Sequence, residues 1–427
     1  MIPQWIIEQK RDGNELPPTT IRTWVEAYSR GDIPDYQMAA LAMAIYFKGM
    51  TFEETAALTE AMMRSGDVLD FSTLPRPTAD KHSTGGIGDK ISIPLAPLVA
   101  ACGVAVPMIS GRGLGLTGGT LDKLDAIPGY DTRLSVNRFR TVLETVGCSI
   151  IGQTDRLAPV DKKLYALRDV TGTVPSIPLI AASIMSKKLA EGADALVLDV
   201  KVGEGAFMKT RPEAQRLADT MVAIGKNMGR NVAALLTPMD EPLGRAVGNA
   251  LEIIESIDIL KNQGPADVRD LTLTLGEKML TLSGAYPDAA TARNALENAL
   301  ASGTALATFR AMVAAHGGDT AVIDDPQRLL ETQCTGMRTC ALHDIPAPHG
   351  GTVTRVSADA IGRVVLLLGG GRRKTDDAIH YGVGVSRLVK AGETIEAGQP
   401  LMRLHAPAAL DNASPVVRLA AAAVTLT

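Results

Sequence analysis

The sequence predicts an α/β protein built from a small all-helical domain, a larger α/β domain with a mixed, mostly parallel central sheet, and a β-rich C-terminal subdomain. Three observations support this prediction. Helix-like apolar spacing fills the N-terminal part, short buried-strand patterns alternate with helices in the middle, and short strand patterns bounded by glycine follow near the C-terminus. Strands that alternate with helices are typical of a parallel sheet covered on both faces.

The N-terminal part of the chain has clear helix boundaries. Helical patterns over 18–31 and 34–49 each begin beside proline and end at glycine. Thr51 and Glu54 then have the spacing of a capping box in front of a third helix. A Leu-Pro-Arg-Pro turn at 74–77 is stiff and marks a domain boundary.

The middle of the chain alternates between the two kinds of element. Apolar runs predict buried strands at 104–109, 195–200 and 231–236, and helical spacing predicts helices at 136–146 and 212–228. Two helical patterns, 160–168 and 178–191, interrupt this alternation with no strand between them. They can pack back onto the N-terminal helices, so one domain would be assembled from two separate pieces of chain.

This organisation predicts three domains. They comprise a helical domain of residues 1–70 plus 160–192, an α/β domain of residues 76–158 plus 193–325, and a C-terminal subdomain of residues 335–427. In the C-terminal subdomain, glycine-bounded patterns predict short strands at 350–353, 363–368 and 382–385 and a hairpin at 392–401.

Composition excludes several classes of function. The net charge is −4 and the pI about 5.9, which argues against a nucleic-acid or anionic-membrane surface. The four cysteines are scattered without a Cys-x-x-Cys pair, so we expect no zinc site and a reducing compartment. No signal-peptide pattern and no apolar run long enough to cross a bilayer is present, so we expect a cytoplasmic protein.

Two glycine-rich loops, at 81–89 and 110–120, combine glycine with hydroxyl and cationic side chains. A short strand that ends near Ser83 would lead into the first loop, and the predicted strand at 104–109 leads into the second. A helix follows each loop, so both loops can emerge at the edge of the sheet where α/β proteins bind ligands. The helix that begins near Asp89 would point its free N–H groups back at the first loop, and Lys81 and Ser83 would flank the pocket between them. The pattern predicts an anion site, although tight turns alone would also explain glycines.

Other phosphate motifs fit less well. Neither loop has the Gly-Lys-Ser/Thr ending of a Walker A motif. Residues 113–118 match Gly-x-Gly-x-x-Gly, but no acidic residue ends a second strand at the distance that a dinucleotide site needs. These motifs therefore leave the identity of the anion open.

A second group of polar residues lies in the interrupting helices. Ser183 and Lys187 are four residues apart and so lie on one helix face, and Arg168 ends the preceding helix. Together they would form a wall of hydrogen-bond donors suited to a planar, carbonyl-rich ligand such as a pyrimidine. A solvated lysine and an ordinary surface arginine are the alternative explanation.

Taken together, these segments resemble the thymidine/pyrimidine-nucleoside phosphorylase family along nearly the whole chain. The motifs that carry the resemblance are Lys-His-Ser-Thr-Gly-Gly at 81–86, Ser-Gly-Arg-Gly-Leu-Gly at 110–115, Thr-Gly-Gly-Thr-Leu-Asp-Lys-Leu at 117–124, Gly-Gln-Thr at 152–154 and Asp-Val-Lys-Val-Gly at 199–203. The resemblance implies reversible phosphorolysis of a pyrimidine nucleoside, with inorganic phosphate as co-substrate and no organic cofactor. It also implies a homodimer formed through the helical domain.

The resemblance also assigns site residues. The implied phosphate ligands are Lys81, Ser83, Ser92, Ser110 and Thr120. The implied base ligands are His82, Arg168, Ser183 and Lys187. Apart from His82, which lies in the predicted α/β domain, the base ligands lie on the helical domain and the phosphate ligands on the α/β domain. Closure of a hinge would therefore bring the two substrates together.

Three positions bear on how this chain compares with other members of the family. Met108 stands where uridine-accepting members tend to carry lysine, which favours 2′-deoxynucleosides, with a broader enzyme that also uses uridine as the alternative. Leu116 and Asp125 replace the histidine and the glutamate that the family usually has.

Some members of the family bind a monovalent cation such as K⁺. The matching positions here are Gly88, Leu243, Ala246 and Glu255. Lys90 stands where some members have threonine, and its ammonium group could take the place of the cation.

The sequence is compatible with two rival functions. A phosphoribosyltransferase shares the predicted architecture but would need acidic pairs for a Mg²⁺-diphosphate site. The non-enzymatic alternative is a protein that binds nucleosides without converting them. Such a protein would be expected to have lost part of the donor set formed by Arg168, Ser183 and Lys187.

Overall fold

The computed structural model describes residues 1–113, 116–333, 341–374 and 377–427. The N-terminal part forms α1 (Pro3–Arg11), α2 (Pro18–Arg30), α3 (Asp35–Lys48) and α4 (Phe52–Met63). The predicted capping box of α4 is present, because Thr51 Oγ1 accepts from the Glu54 N–H at 3.2 Å and Glu54 Oε2 accepts from the Thr51 N–H at 2.8 Å. Gly31 ends α2 in the left-handed conformation, with φ at 84°.

The middle of the chain alternates strands with helices as predicted. In chain order it forms β1 (Ala79–Ser83), α5 (Ser92–Ala101), β2 (Val106–Ser110), α6 (Thr120–Leu124), α7 (Val136–Thr145), β3 (Cys148–Gly152), α8 (Pro159–Thr171), α9 (Ile177–Glu191), β4 (Ala195–Val202), α10 (Arg211–Asn227), β5 (Asn231–Pro238), α11 (Asn249–Leu260), α12 (Ala266–Leu282), α13 (Ala289–Ala301), α14 (Thr304–Ala315), α15 (Ala321–Asp324) and α16 (Arg328–Gln333).

The central sheet is parallel throughout the described residues. β1, β4 and β5 form one ladder and β2 and β3 another, and every strand pair in both ladders is parallel. A parallel bridge between Thr78 and Ala105 joins the two ladders, so the strands lie in the order β3-β2-β1-β4-β5. The carboxyl ends of all five strands therefore meet at one edge.

Helices cover both faces of this sheet. Along β4, Val197 belongs to one apolar core, whereas its neighbours Leu196 and Leu198 belong to a second core on the opposite face. This alternation follows from the two-residue period of a strand, and it explains why the strand is a continuous apolar run.

The two interrupting helices, α8 and α9, complete a third core with the N-terminal helices. Val160 and Leu164 of α8 share this core with Leu179 and Ala182 of α9 and with the buried Trp24 of α2. Helix α9 packs against α4, and α8 packs against α3. The core that buries Trp24 is therefore built from two separate pieces of chain.

The C-terminal part is rich in strands. It forms β6 (Ala341–Pro346), β7 (Gly351–Val356), α17 (Ala358–Leu368), β8 (Gly384–Ser386), β9 (Thr394–Ile395), β10 (Pro400–Ala406), α18 (Pro415–Ala422) and β11 (Val424–Leu426). Two antiparallel ladders result, one in the order β6-β10-β8 and the other in the order β11-β7-β9.

Two details of the C-terminal prediction are wrong. Residues 363–368 form the end of α17 and not a strand, because Ser357 caps the helix and Val364, Val365 and Leu368 are buried at helical spacing. Residues 392–401 do not form a hairpin, because β9 pairs with β7 whereas β10 pairs with β6 and β8. The predicted glycine turns are present, with φ at 91° for Gly392 and 80° for Gly398, but the tertiary structure determines which strands pair.

The cysteines that the structure describes have free thiols. Cys148 is buried and Cys102 half-buried, and burial raises the pKa of Cys102 to about 11. Cys334 and Cys340 lie outside the described residues. Within those residues no helix has both the length and the apolarity to cross a membrane.

Candidate active site

The polar candidates of both loops begin at the carboxyl ends of neighbouring strands. β1 ends with Lys81, His82 and Ser83, and β2 carries Met108 and ends with Ser110. Because β1 and β2 are parallel and adjacent in the sheet, these residues lie along one edge. The structure thus brings the start of the two loops together, as the sequence predicts.

The Lys81 side chain is fully buried below the first loop. Its Nζ lies 3.5 Å from the hydroxyl of Ser92, which is the first residue of α5. The nearest carboxylate oxygens belong to Asp199 at 3.7 Å and Asp89 at 3.9 Å. All three distances are long for a charged hydrogen bond, so the ammonium group retains capacity for another oxygen.

Ser83 connects the first loop to the helix that follows it. Its Oγ donates to Asp89 Oδ2 at 2.5 Å and accepts from the N–H of Gly85 at 3.1 Å. Lys123 of α6 donates to the backbone carbonyl of Asp89 at 2.7 Å. Since α6 begins at the end of the second loop, this bond ties the two loops to each other.

Asp89 is an ionised carboxylate inside the candidate anion site. Burial alone would raise the pKa of Asp89, but nearby ammonium groups outweigh burial and hold the pKa well below its usual range. These groups belong to Lys81, Lys201 and Lys123. An anion that binds at Ser83 must therefore replace the Asp89 carboxylate as the acceptor of the hydroxyl.

Asp122 organises the second loop. Its Oδ2 accepts from the N–H groups of Gly113 at 2.7 Å and Gly119 at 2.9 Å. Its Oδ1 lies 3.0 Å from Arg112 and 2.8 Å from Arg372, which belongs to the C-terminal part of the chain. One buried carboxylate thus bonds to both sides of the loop, at Gly113 and Gly119, and joins the loop to the C-terminal part.

Ser110 and Thr120, the two predicted phosphate ligands of the second loop, lie at its ends and are half-buried. Leu121 donates its N–H to the carbonyl of Gly111 at 3.4 Å, so the ends of the loop are close together. Residues 114 and 115, which belong to the predicted Gly-x-Gly-x-x-Gly match, lie outside the described residues.

The two substituted positions near this loop have structural partners. Asp125 pairs with Arg112 at 2.5 Å and accepts from the Thr132 hydroxyl at 3.2 Å, so the shorter carboxylate still reaches both groups. Leu116 packs against Gly362 of α17, where a Cβ added to Gly362 would lie 3.0 Å from the Cβ of Leu116. Leu116 therefore makes an apolar contact with the C-terminal part.

Ser183 and Lys187 lie one turn apart on α9 and bond to each other. Lys187 Nζ donates to the Ser183 hydroxyl at 2.9 Å and to its carbonyl at 2.7 Å. The same Nζ lies 2.6 Å from Asp161 Oδ2 and 5.7 Å from the ring centroid of Tyr165, both on α8. The ammonium group is thus oriented by two helices.

Arg168 is buried and bonded to the backbone between α8 and α9. Its three nitrogens donate to the carbonyls of Thr173 at 3.3 Å, Leu179 at 3.0 Å and Val174 at 2.7 Å. Burial lowers the pKa of Arg168 to about 10, so the group is still a cation at neutral pH. A guanidinium has five N–H donors, so two remain for a ligand.

His82 lies within electrostatic reach of both groups of candidates. The pKa of His82 is held well below its usual value by burial and by three ammonium groups. In order of effect, these belong to Lys188, Lys187 and Lys81. At neutral pH His82 is therefore a neutral imidazole, with one N–H to donate and one nitrogen to accept.

A buried ionic cluster joins α9 to the two strands. Lys188 Nζ donates to Asp80 Oδ2 at 2.5 Å, to the carbonyl of Ile109 at 2.7 Å and to Glu191 Oε2 at 2.8 Å. Glu191 also accepts from the N–H of Ile109 at 3.0 Å. Asp80 directly precedes the polar residues of β1, so the cluster sets the position of α9 relative to both strand ends.

Met108 faces the apolar core in this conformation. Its side chain is only 1% exposed and belongs to the same core as Val106 and Ile150. Met108 therefore lines no open surface here, although it lies two residues before the candidate phosphate ligand Ser110.

The predicted cation position is taken by the side chain of Lys90. Its Nζ lies 2.7 Å from the carbonyl of Leu243, 3.1 Å from that of Ala246 and 2.5 Å from Glu255 Oε2. The carbonyl of Gly88 accepts from the N–H of Lys90 at 2.9 Å. These residues therefore do not fit an additional cation such as K⁺. Within the described residues, no group of three or more His, Cys, Asp or Glu side chains could hold a metal ion.

Several residues that shape the site did not stand out in the sequence. Asp161 and Tyr165 orient Lys187, and Lys188 holds α9 against the sheet. A signal for the first two was available, because Asp161, Tyr165 and Arg168 recur at the four- and three-residue spacing of one helix face. Lys188 had no such signal, because its partners come from β1 and β2.

Comparisons with known proteins define the family. Family models match residues 4–66 (glycosyl transferase family, helical bundle domain), 75–306 (glycosyl transferase family, a/b domain) and 352–425 (pyrimidine nucleoside phosphorylase C-terminal domain). The pyrimidine-nucleoside phosphorylase of Geobacillus stearothermophilus is 48% identical over 400 residues, which cover 94% of this chain and 91% of that protein. The protein of the same name from Staphylococcus aureus (strain MSSA476) is 49% identical over the same coverage.

A solved structure shows the same fold at much lower identity. The anthranilate phosphoribosyltransferase of Thermus thermophilus is 19% identical, with a TM-score of 0.60 over 73% of this chain and 98% of that chain. The domains and the fold thus define a glycosyl transferase. At 48% identity along most of its length, the chain belongs to the pyrimidine-nucleoside phosphorylase family.

Proposed function

We propose that this chain catalyses the reversible phosphorolysis of pyrimidine nucleosides and prefers 2′-deoxynucleosides such as thymidine. The names of its relatives, at 48% and 49% identity, support the reaction. The observation that carries the proposal is the buried Lys81 ammonium group, which retains capacity to bind an anion at the edge of the sheet. Lys188 holds α9, with its Ser183–Lys187 pair, against this edge.

Inorganic phosphate is the nucleophile, and the reaction needs no organic cofactor. The proposed phosphate ligands are Lys81, Ser83, Ser92, Ser110 and Thr120. Lys81 supplies the charge, and the hydroxyls supply oriented donors around the two loops. Exchange of the Ser83–Asp89 bond for a bond to phosphate is the step that opens the site to the anion.

The base is held by groups on the helices and by the end of β1. The proposed base ligands are His82, Arg168, Ser183 and Lys187. Lys187 and Arg168 are cations at a site where negative charge would grow on the base, so they stabilise the transition state more than the ground state. Neutral His82 would donate its N–H to a base carbonyl.

The bond changes are those of one displacement at the anomeric carbon. A phosphate oxygen attacks C1′ from the face opposite the base, and the C1′–N1 bond breaks with its electron pair leaving on the base. The base takes up the proton that hydrogen phosphate gives up on forming the ester, so the products are the free base and the inverted α-(deoxy)ribose 1-phosphate. Negative charge spread over the departing base is what Arg168 and Lys187 would stabilise.

Two domains would carry the two substrates. We assign the base to the helical domain of residues 1–70 plus 160–192, and phosphate to the α/β domain of residues 76–158 plus 193–325. The C-terminal subdomain, 335–427, would support the second loop through Arg372 and Asp122. Closure between the two substrate-binding domains would bring phosphate in line with C1′ and exclude water.

Met108 would set the sugar preference. Its thioether has no hydrogen to donate to a ribose 2′-hydroxyl. A 2′-hydroxyl buried near Met108 would therefore lack a hydrogen-bond partner, which disfavours ribonucleosides. Met108 is buried in the core in this conformation, and the support for a role at the sugar is its position two residues before Ser110, on the same face of β2 as that candidate phosphate ligand.

We also propose a homodimer formed through the helical domain. Trp5 of α1 is 65% exposed and Phe47 of α3 is 74% exposed, and α1 packs against α3. Large exposed apolar side chains on adjacent helices are typical of protein interfaces. Light scattering should give twice the mass of one chain, and a Phe47→Glu variant should shift the mass towards that of one chain.

One assay tests the proposed reaction. The purified chain is incubated with thymidine in phosphate and, as the control, in sulfate at equal ionic strength, and free thymine is measured. Release of thymine in phosphate only supports phosphorolysis. Release in both salts would mean hydrolysis, and release in neither would leave binding without turnover.

The same preparation separates the rival enzyme. Thymine is offered with 2-deoxy-α-ribose 1-phosphate and, in a parallel arm, with phosphoribosyl diphosphate and Mg²⁺. Nucleoside formation in the first arm alone is expected. Transfer from the diphosphate would contradict the proposal and favour a phosphoribosyltransferase.

A further inference from the structure

Lys90 fills a cation site that the chain itself builds. Two backbone carbonyls and one carboxylate surround its ammonium group, with Nζ at 2.7 Å from Leu243 O, 3.1 Å from Ala246 O and 2.5 Å from Glu255 Oε2. An ammonium group has three hydrogens, so these three oxygens satisfy it completely.

The site is closed as well as filled. The Lys90 side chain has no exposed surface, and Glu255 pairs with it while its other oxygen accepts from the N–H of Arg245 at 2.9 Å. A Cβ added at Gly244 would lie only 2.7 Å from Nζ and 2.1 Å from Glu255 Oε2. A second cation would meet neither free oxygen ligands nor space, and its charge would be unbalanced.

The site also joins distant parts of the chain. Lys90 lies just before α5, whereas Leu243 and Ala246 lie in the segment after β5, and Glu255 lies on α11. The N–H of Leu243 donates to the carbonyl of Ile87 at 3.0 Å, so the two segments run together. Ser92, two residues beyond Lys90, contacts Lys81 of the candidate phosphate site.

We propose that the Lys90 ammonium group performs in this chain the structural task of a bound monovalent cation. It holds the segment 87–92 against 243–246 and α11, so stability and activity need no K⁺. Lys90 is a positioning residue, because its side chain bonds to Leu243, Ala246 and Glu255 and reaches the candidate phosphate site only through its chain neighbours Asp89 and Ser92. That folding needs no K⁺ follows from this geometry alone, whereas the expected effect of Lys90 on phosphate binding rests on the proposed function.

Two substitutions of Lys90 test the proposal. Lys90→Thr removes the ammonium and introduces a hydroxyl oxygen, which leaves an oxygen-lined space beside Glu255 for a hydrated or bare cation. Lys90→Met keeps the length of the side chain but offers neither charge nor oxygen. The matched control is Lys278→Thr, because Lys278 is exposed on α12. Each protein is melted in KCl and in tetramethylammonium chloride at equal ionic strength.

The unaltered chain and the Lys278→Thr control should show Tm values that agree within about 1 °C between the two salts, since no bound cation links folding to K⁺ in either protein. In tetramethylammonium chloride, the Tm of Lys90→Thr should be lower than that of the unaltered chain. Added KCl should raise this Tm until it saturates, because bound K⁺ stabilises the folded state. Lys90→Met should melt lower in both salts, because Glu255 is left unpaired.

Phosphate kinetics give a second readout. For Lys90→Thr we expect the KM for phosphate to rise about tenfold in tetramethylammonium, because Ser92 and Lys81 are no longer held in place, and to recover in KCl. The effect on the KM for the nucleoside should be smaller.

Several outcomes would overturn the inference. These are a K⁺-dependent Tm or rate in the unaltered chain, a Lys90→Thr protein unaffected in either salt, or one that stays unfolded in KCl. The melting experiments require no turnover. A missing phosphorolysis activity with the expected Tm pattern would therefore refute the proposed function and leave the cation inference standing.

Discussion

Lys188 of α9 and Asp80 of β1 form a buried ion pair, with Nζ at 2.5 Å from Oδ2. Lys188 directly follows the candidate base ligand Lys187, and Asp80 directly precedes the candidate phosphate ligand Lys81. Glu191 completes the cluster, and burial together with the Asp80 carboxylate raises the pKa of Glu191 well above its usual range. The raised pKa favours the neutral form of Glu191, so the Lys188 ammonium is balanced chiefly by the Asp80 carboxylate, and this pair sets the spacing of the two substrate groups.

Replacement of Lys188 by methionine should therefore damage both stability and activity. A buried carboxylate left without its partner costs about 3–5 kcal/mol in the free energy of unfolding. We expect kcat/KM to fall by at least about tenfold in the fraction that remains folded, because α9 is no longer held against β1 and β2. Urea unfolding and steady-state kinetics measure the two effects.

The control for that experiment is Lys162→Met, which breaks an exposed ion pair with Asp155. It should change stability by no more than about 1 kcal/mol. Equal behaviour of the Lys162 and Lys188 variants would show that the buried cluster has no positioning role.

Arg168→Ala should abolish most turnover while phosphate binding survives. Loss of one cation that stabilises the departing base should lower kcat by roughly 10²- to 10³-fold. Titration calorimetry with phosphate alone should give a Kd close to that of the unaltered chain. Near-normal turnover would contradict the role of Arg168.

Arg168→Lys serves as the matched variant, because it keeps the charge and loses the fork of donors. Alanine leaves all three backbone carbonyls without this partner, whereas a lysine ammonium can still donate to some of them, so stability should fall more in Arg168→Ala and kcat is compared per folded protein. A clear difference in kcat between the two variants would then isolate the charge from the local packing.

Met108→Lys should shift the sugar preference towards uridine. The introduced ammonium group can donate to a 2′-hydroxyl, so we expect the ratio of kcat/KM for uridine over thymidine to rise by about tenfold or more. Met108→Leu keeps an apolar side chain and should leave the ratio unchanged. Equal efficiency with both nucleosides in the unaltered chain would refute the deoxynucleoside preference.

His82→Asn should lower kcat by about 10²- to 10⁴-fold with a small change in phosphate binding. Since the pKa of His82 is held well below its usual value, the free enzyme already contains neutral His82 at pH 6.5. We therefore expect that kcat/KM of the unaltered chain, measured against pH, does not fall with a midpoint near pH 6.5 because of His82. A fall near pH 6.5 that is present in the unaltered chain and absent from His82→Asn would contradict this expectation and show that His82 titrates normally.

His405 should make stability depend on pH. Burial, with the nearby Arg403 and Arg387, lowers the pKa of His405 from 6.5 to about 4. Between these two values the unfolded chain binds the proton first, so stability is full above about pH 6.5 and falls as the pH decreases to about 4. The loss is up to about 3 kcal/mol, since one pKa unit corresponds to about 1.4 kcal/mol.

The matched variant is His405→Gln, which can still bond to Ser386, the partner of His405 Nε2 at 2.8 Å. Its stability should decline less than that of the unaltered chain between pH 6.5 and about 4 in urea titrations. Parallel curves for the two proteins would contradict the depressed pKa.

Local sequence signals were reliable wherever one segment was enough to decide the outcome. Thr51 and Glu54 predicted their capping box, and the apolar run of β4 predicted a buried parallel strand. Residues 363–368 misled, because a short apolar run fits a strand and a helix equally well. The cap at Ser357 lies six residues upstream and settles the choice in favour of α17.

By itself, the sequence determined the order of elements, the two loops and the residue types that an anion and a pyrimidine would need. These depend on periodicity, capping and glycine conformation, which act over a few residues. Only the tertiary structure decided which charges meet. Asp80 and Lys188 are 108 residues apart, and Lys90 and Glu255 are 165 apart, so no local pattern links them. Burial makes each of these charges costly without its partner, and the packing of the sheet and helices supplies that partner.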